Sequence, residues 1–264
     1  MKPKAVSDHG IARRVKLALC ALMLIAAGCA QQPTQKGGEP VDSNAAQRAE
    51  IHTQLGSGYY ERRQFDVAIQ ELNEALSADP DYVPAHNIMG LVYMELRDDA
   101  VAEQHFQRAL KSDPADSDAN NNYGWFLCQR GREQASIRYF IAALKNPLYR
   151  TPEKSHVNAG VCSLKAKDEK GAESYLQKAL QIQPKNPQAL YYLAEMNYKG
   201  GKYAKAQSYL SRYMQVANPS AESLWLGVRI ERKLGDRHSQ ASYGLQLRKK
   251  YPESQEAAAL RAGR

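Results

Sequence analysis

An apolar residue followed by glycine recurs at Leu55-Gly56, Met89-Gly90 and Tyr123-Gly124, which sets the glycines 34 residues apart (90 − 56 and 124 − 90). A fixed period of that length constrains this chain more than any other feature. A unit of two helices cannot bury its apolar face alone, so copies stack and share a continuous core. The chain is expected to be an extended array of helix pairs. Such an array is a surface for holding another protein, so the first question is what it holds.

The residues around the glycines fit the tetratricopeptide (TPR) pattern, W-x2-L-G-x2-Y followed by alanine, a large apolar residue and proline. The first copy reads Leu55, Gly56, Tyr59, Phe65, Ala68, Leu72, Ala75, Leu76, Pro80, and the second Met89, Gly90, Tyr93, Ala102, Phe106, Ala109, Leu110, Pro114. Small residues sit where helix backbones cross closely. Pro80 and Pro114 end second helices, because proline lacks an N–H and clashes with the preceding turn. The third copy, Tyr123, Gly124, Leu127, Gly131, Phe140, Ala143, Leu144, ends in the irregular Asn146-Pro147-Leu148-Tyr149-Arg150-Thr151-Pro152. The fourth is Ala159, Gly160, Ala172, Leu176, Ala179, Leu180, Pro184, and its glycine lies 36 residues after Gly124, a two-residue insertion. The fifth, Leu193, Ala194, Tyr203, Ala206, Leu210, and a degraded sixth, Leu226, Gly227, Ile230, Ala241, Leu245, Leu247, Pro252, complete the series. The expected fold is all-α: a right-handed TPR superhelix of about six helix-turn-helix repeats over residues 49–252, with 253–264 as a C-terminal tail.

Lys2, Lys4, Arg13, Arg14 and Lys16 precede an apolar run from Leu17 to Ala27. This is a positive n-region with a short h-region, too short to span a bilayer as a mature helix. It ends Leu24-Ile25-Ala26-Ala27-Gly28-Cys29, which resembles a bacterial lipobox, although Ala26 stands where leucine is commonest. Residues 1–28 read as a lipoprotein signal peptide, with Cys29 acylated by N-acyl diacylglycerol. The alternative is an ordinary signal peptide with an incidental cysteine. Ala30 after the lipidated cysteine is the signal expected for the outer membrane, and three acyl chains suffice for stable anchoring. Residues 29–48, rich in Gln, Gly and Pro at their start, read as a flexible tether.

The formal charge of +8 divides between the leader and the remainder. Residues 1–28 carry five basic groups and Asp8, a net +4; the other residues carry 31 basic and 27 acidic groups, also +4. A mild excess spread over a helical array is a solvated surface, and without a basic stripe interleaved with aromatics it does not suggest nucleic acid.

Of four cysteines, Cys20 leaves with the leader and Cys29 is lipidated. Cys128 and Cys162 remain in an oxidising compartment, on the first helices of neighbouring repeats three and four. A disulfide between them is geometrically plausible and would clamp the junction that carries the insertion; the other reading is two buried thiols acting as small hydrophobes.

Nothing in the chain reads as catalytic, and no cofactor or metal is implied. His52 and His86 are 34 residues apart and share one repeat position, but no third ligand is spaced to join them. Cys162 and His156 would point apart on a helix. Asp98-Asp99 and Asp116-x-Asp118 fall where turns and helix caps use carboxylates.

The first helices of a TPR array line its concave face. The positions expected to point into it are Asn87, Leu91 and Met94 in repeat two, Asn121 and Trp125 in repeat three, Val157, Val161 and Leu164 in repeat four, and Tyr191 and Tyr198 in repeat five. Repeat one contributes the more polar Thr53, Ser57 and Tyr60. This strip is apolar and aromatic in its middle and suits a helix or an extended peptide. The alternative is that a neighbouring helix covers some of these side chains, Trp125 above all.

Beyond the generic repeat, Asn120-Asn121-Asn122-Tyr123-Gly124-Trp125-Phe126-Leu127-Cys128, Asn146-Pro147-Leu148-Tyr149 with Thr151-Pro152, Asn158-Ala159-Gly160-Val161-Cys162, Leu224-Trp225-Leu226-Gly227 and Ala241-Ser242-Tyr243 resemble the type IV pilus biogenesis lipoprotein family PilF/PilW. The resemblance covers almost all of the chain after the leader. It implies a non-enzymatic outer-membrane lipoprotein, facing the periplasm, that acts as pilotin for the type IV pilus secretin: its groove would hold secretin subunits and promote their multimerisation. A monomer is expected, since a solenoid needs no partner copy. The alternative is a TPR lipoprotein that scaffolds outer-membrane β-barrel assembly or peptidoglycan hydrolases.

Overall fold

The computed structural model describes residues 43–263. The basic leader, Cys29 and residues 29–42 of the expected tether lie outside the described residues. Thirteen α-helices follow one another, with no strand among the described residues. The first is α1 (Ser43–Glu61), followed by α2 (Phe65–Ala78), α3 (Val83–Leu96), α4 (Asp99–Ser112), α5 (Ser117–Gln129) and α6 (Glu133–Ala143). After a longer connection come α7 (Pro152–Lys165), α8 (Glu169–Ile182), α9 (Pro187–Lys199), α10 (Tyr203–Val216), α11 (Ala221–Leu234), α12 (Arg237–Lys250) and α13 (Gln255–Arg261). Six antiparallel pairs, α1/α2 to α11/α12, stack as an α-solenoid.

Each pair is keyed by one contact: a small residue on the first helix receives a large side chain sixteen positions on. The pairs are Gly56/Leu72, Gly90/Phe106, Gly124/Phe140, Gly160/Leu176 and Gly227/Tyr243, with Ala194/Leu210 in the same relation. A Cβ built on Gly90 would lie 2.6 Å from Phe106 Cε1, so only glycine lets α3 and α4 approach this closely. Phe106, Phe140, Leu72, Leu176 and Leu210 are all buried, and the core is a stripe running between the helix layers.

The backbone keeps the period even where side chains lose it. The turn inside each pair holds one left-handed residue: Arg63, Arg97, Gly131, Lys167, Gly201 and Gly235, with φ of 58°, 63°, 73°, 62°, 73° and 81°. Their intervals are 34, 34, 36, 34 and 34 residues. At Arg63, Arg97 and Lys167 the Cβ costs about 1 kcal/mol in this conformation, so side chains there are tolerated and not preferred. Asp98, Asp116, Asp168 and Asp236 accept a hydrogen bond from the backbone N–H three residues on, at 3.3, 2.7, 2.9 and 3.0 Å, which caps α4, α5, α8 and α12.

Two boundaries and the core of the sixth repeat differ from the sequence reading. Helix α1 begins at Ser43, so residues 43–48 of the expected tether are helical, and Ala49 is fully buried. The tail 253–264 contains α13, capped by the Ser254 hydroxyl, which accepts from Ala257 N–H at 3.1 Å. Ala257 and Leu260 lie one turn apart on α13 and pack with Leu224, Leu247 and Tyr251, closing the end of the stripe. In the sixth repeat Tyr243 takes the keying position, whereas Leu245 is 61% exposed and Ala241 is exposed. The wider spacing after repeat three resides in the loop 144–151, which replaces the four-residue connections 113–116 and 183–186.

Candidate binding face

The first helices α3, α5, α7, α9 and α11 each touch the next, forming one continuous face. Of the ten residues expected to line it, Leu91, Met94, Trp125, Leu164, Tyr191 and Tyr198 are partly exposed. Asn87, Asn121, Val157 and Val161 are not: they are 5%, 7%, 2% and 8% exposed. Asn87, Asn121 and Val157 belong to the seams between helices, because positions that face outward on an isolated helix meet the adjacent first helix in the array, whereas Val161, though nearly covered, still borders a cleft beside Leu164. Val157 and Val161 pack with Leu176, Ala189 and Leu193. Asn87 and Asn121 form a polar ladder. Asn122 Nδ2 donates to Asn87 Oδ1 at 3.1 Å, Asn121 Nδ2 to Asn122 Oδ1 at 3.1 Å, and Asn158 Nδ2 to Asn121 Oδ1 at 3.1 Å. The Ser155 hydroxyl also donates to Asn121 Oδ1, at 2.9 Å. The ladder fixes the register of α3, α5 and α7 by satisfying every rung.

The exposed members open onto clefts. Met94 and Trp125 border one of about 620 Å³ with Glu95, Arg97, Asp99 and Arg130 on its rim. Leu164, Tyr192 and Met196 border a second, of about 460 Å³, flanked by Lys165 and Lys199. Tyr191, Tyr192 and Tyr213 border a third, of about 390 Å³. Trp125 also packs against the cores beneath α5 and α7, so one side of its indole is covered and the other remains open.

Cys128 and Cys162, on the touching helices α5 and α7, have Cα atoms 5.8 Å apart and are joined through sulfur. Both are buried, beside Phe140 and Ala159. His156, on the same helix as Cys162, lies against Tyr175 with ring centroids 6.2 Å apart.

His52 and His86 do occupy one repeat position, and each bonds a residue nineteen positions on. His52 Nδ1 lies 2.8 Å from Glu71 Oε2, and His86 Nδ1 lies 2.9 Å from His105 Nδ1. His86 Nε2 is 3.0 Å from the Pro80 carbonyl, so it carries the hydrogen and donates. His86 Nδ1 is then the acceptor and His105 Nδ1–H the donor. Both pKa values lie below the usual histidine value. Burial is the main cause for each, and His105 is pushed down to about 4 with His86 as its neighbouring charge. Arg108 opposes a proton on His86, while Asp81 and Asp79 favour it. Tyr93 covers His105 with stacked rings 5.7 Å apart.

The sign follows from linkage. The unfolded chain takes up the His105 proton near pH ~6.5, and the folded chain resists it down to about 4. The stability is complete above that upper pH and lost as pH falls through the window. After discounting for partial exposure, the loss amounts to about 1–2 kcal/mol. A melting series over this window should fall for the wild type and flatten for His105→Gln; parallel slopes would refute the assignment.

Profiles of the tetratricopeptide repeat match residues 53–117, 89–147 and 163–224. The type IV pilus assembly protein PilF of Pseudomonas aeruginosa is 32% identical over 217 residues, covering 81% of this chain and 85% of the relative. The chain belongs to the PilF/PilW family. A solved structure of P. aeruginosa PilF superposes with a TM-score of 0.79 at 30% identity, covering 84% of this chain and all of that one. The crystal structure of PilW, described as a widely conserved type IV pilus biogenesis factor, gives 0.75 at 34% identity, covering 81% and 98%. The TPR protein YrrB shares the fold alone, with a TM-score of 0.52 at 16% identity over 70% of this chain and 97% of that one.

This PilF/PilW-family chain also places on the face side chains that repeat arithmetic did not select. Tyr192 and Met196 on α9, Tyr213 on α10, and Trp225 and Arg229 on α11 stand between the expected positions. Arg229 lies over Tyr198 and Trp225, 4.8 and 5.8 Å from the ring centroids. A signal for them was present in the adjacent Tyr191-Tyr192 and in Tyr213, one helix turn past Tyr209, but it needed the packing of α9 on α10 to be read.

Proposed function

We propose that the chain is a lipid-anchored, non-enzymatic scaffold of the outer membrane that holds subunits of the type IV pilus secretin and promotes their multimerisation. Cys29 carries the lipid, the exposed strip from Leu91 and Met94 through Trp125 and Leu164 to Tyr191 and Tyr198 receives the secretin segment, and the Cys128–Cys162 bond is closed in the periplasm. The observation that carries this reading is the similarity to P. aeruginosa PilF, which extends over 81% of this chain and so takes in more than a shared repeat. The geometry agrees with a holding role. The face is continuous, partly apolar and built on rigid helices, so a bound segment would meet a preformed surface and lose less in ordering.

The experiment is deletion of the gene followed by complementation. The deletion strain is expected to lose surface pili and to show secretin as monomers on heating in detergent. The Cys29→Ala protein should still co-purify with secretin but leave it away from the outer membrane. Normal heat-resistant secretin multimers in the deletion strain would overturn the proposal, and altered porin levels with normal twitching would point to a scaffold for β-barrel assembly.

A further inference from the structure

The cleft between α9, α10 and the start of α11 has a composition unlike the rest of the face. Three tyrosines form its walls. Tyr191 meets Tyr192 with ring centroids 5.6 Å apart at 72°, and meets Tyr213 at 5.8 Å and 54°. Rings at such angles form a corner and not a closed stack. Glu222, in the first turn of α11, and Ser220 complete the lining with Pro187, Gln188 and Ala217. The Ser220 hydroxyl, bonding the Glu222 carboxyl, holds its pKa below the usual value, so it is an anion at neutral pH. Burial first, then Glu195 and Glu222, push the Tyr191 hydroxyl up to about 12, and Arg229 only partly opposes them.

Three cations near this cleft have other partners. Arg229 lies over Tyr198 and Trp225. Arg212 donates to the Pro184 carbonyl at 2.9 Å and lies over Tyr209. Lys199 pairs with Glu195 at 2.9 Å. Among the described residues no lysine or arginine pairs with Glu222.

A corner of electron-rich rings with an ionised carboxylate at its rim attracts a cation and gains most from a flat one. A guanidinium stacks on a ring face and still directs two N–H groups to a carboxylate; an ammonium is a strongly hydrated point charge. The volume, about 390 Å³, exceeds a guanidinium and admits the aliphatic stem as well. We propose that the Tyr191–Tyr192–Tyr213–Glu222 cleft is a specificity pocket for an arginine side chain of the protein segment held along the face. This deepens the proposed function and rests on its reading of the face as one that holds a protein segment, though not on that segment being secretin.

The test is peptide selection on the purified full chain in detergent. A random peptide library displayed on phage is panned on the wild type, on Glu222→Gln and on Tyr213→Ala, with Gln104→Ala, an exposed position on the second helix α4 and outside the face, as a control. Arginine should be enriched about tenfold at one peptide position on the wild type and on Gln104→Ala, and a selected peptide should bind Glu222→Gln about tenfold more weakly. Tyr213→Ala should lose the arginine preference too. Since Glu222 is exposed, Glu222→Gln is expected to remain folded, so its result stands even if Tyr213→Ala unfolds. Peptides selected without arginine, lysine enriched in its place, no peptide selected, or an unchanged preference on Glu222→Gln would each overturn the pocket. Pili play no part in this measurement, so a deletion strain with normal pili would defeat the pilus role and leave the pocket standing.

Discussion

Replacing Gly90 by alanine is expected to cost about 2–3 kcal/mol, although the same change at an open helical position gains about 1 kcal/mol. The new Cβ would stand 2.6, 2.7 and 2.8 Å from three atoms of the Phe106 ring. Relief requires the ring or the helix to move by most of an ångström. The ring cannot turn away, because it is fully buried and packed on Tyr123 and Phe126 at centroid distances of 5.8 and 5.6 Å. Nor can the helices part cheaply, since that separation would run along the whole α3–α4 contact. Gly90→Val should cost more. Gly58, in α1, is the internal control: a Cβ there meets nothing within 4 Å, so Gly58→Ala should stabilise. Urea titration followed by circular dichroism measures both. Combining Gly90→Ala with Phe106→Leu should recover part of the loss, because the smaller side chain vacates the contested space. A Gly90→Ala protein at least as stable as the wild type would refute the keying contact.

That contact also explains how much of the fold could be read from the sequence. Gly56, Gly90, Gly124 and Gly160 repeat because each admits a side chain sixteen residues on, and packing of this kind tolerates few alternatives. The sixth copy faded because Tyr243 replaces the aliphatic or phenyl key, which moved the expected core onto Ala241 and Leu245. Its turn residue Gly235 held the interval all the same. Helix α13 carried no repeat signal, since a terminal helix has a neighbour on one side only and matches no template. Its cues were the Ser254 cap and the Ala257/Leu260 spacing.

The binding face was legible in outline and not in detail. Repeat geometry correctly selects first helices, and Leu91, Met94, Trp125, Leu164, Tyr191 and Tyr198 are on the exposed side. It does not tell which positions the adjacent first helix covers. Asn87 and Asn121 were placed in the groove as polar residues, whereas burial and mutual hydrogen bonding make them a ladder between repeats. Tyr213 was missed for the converse reason: it lies on a second helix and reaches the face only because the connection 217–220 leaves an opening between α9 and α11.

Converting either Cys128 or Cys162 to alanine is expected to lower stability by about 3–4 kcal/mol, and converting both should cost little more than converting one. The bond closes a loop of sequence separation 34, which restricts the unfolded chain, and either substitution removes all of that restriction. Its place in the array adds to the effect. A quasi-one-dimensional stack opens at interfaces between repeats, and this bond ties α5 to α7 across the junction where the repeat interval lengthens and the loop 144–151 intervenes. Without it, the three repeats on each side can separate in distinct steps, so the urea transition should broaden as well as shift. Each alanine also removes one buried sulfur atom, which leaves a cavity with its own cost. Reducing the wild-type protein separates the two contributions, because it opens the bond and leaves the sulfur atoms in place. The reduced wild type should reproduce most of the loss seen with the alanine variants, and cleavage within 144–151 by a protease should accelerate only when the bond is open. Equal stability of the oxidised and reduced wild type would mean that Cys128 and Cys162 act as two packed thiols, and that apolar packing with Phe140 and Ala159 and the Asn121–Asn158–Ser155 ladder hold the junction without a covalent tie.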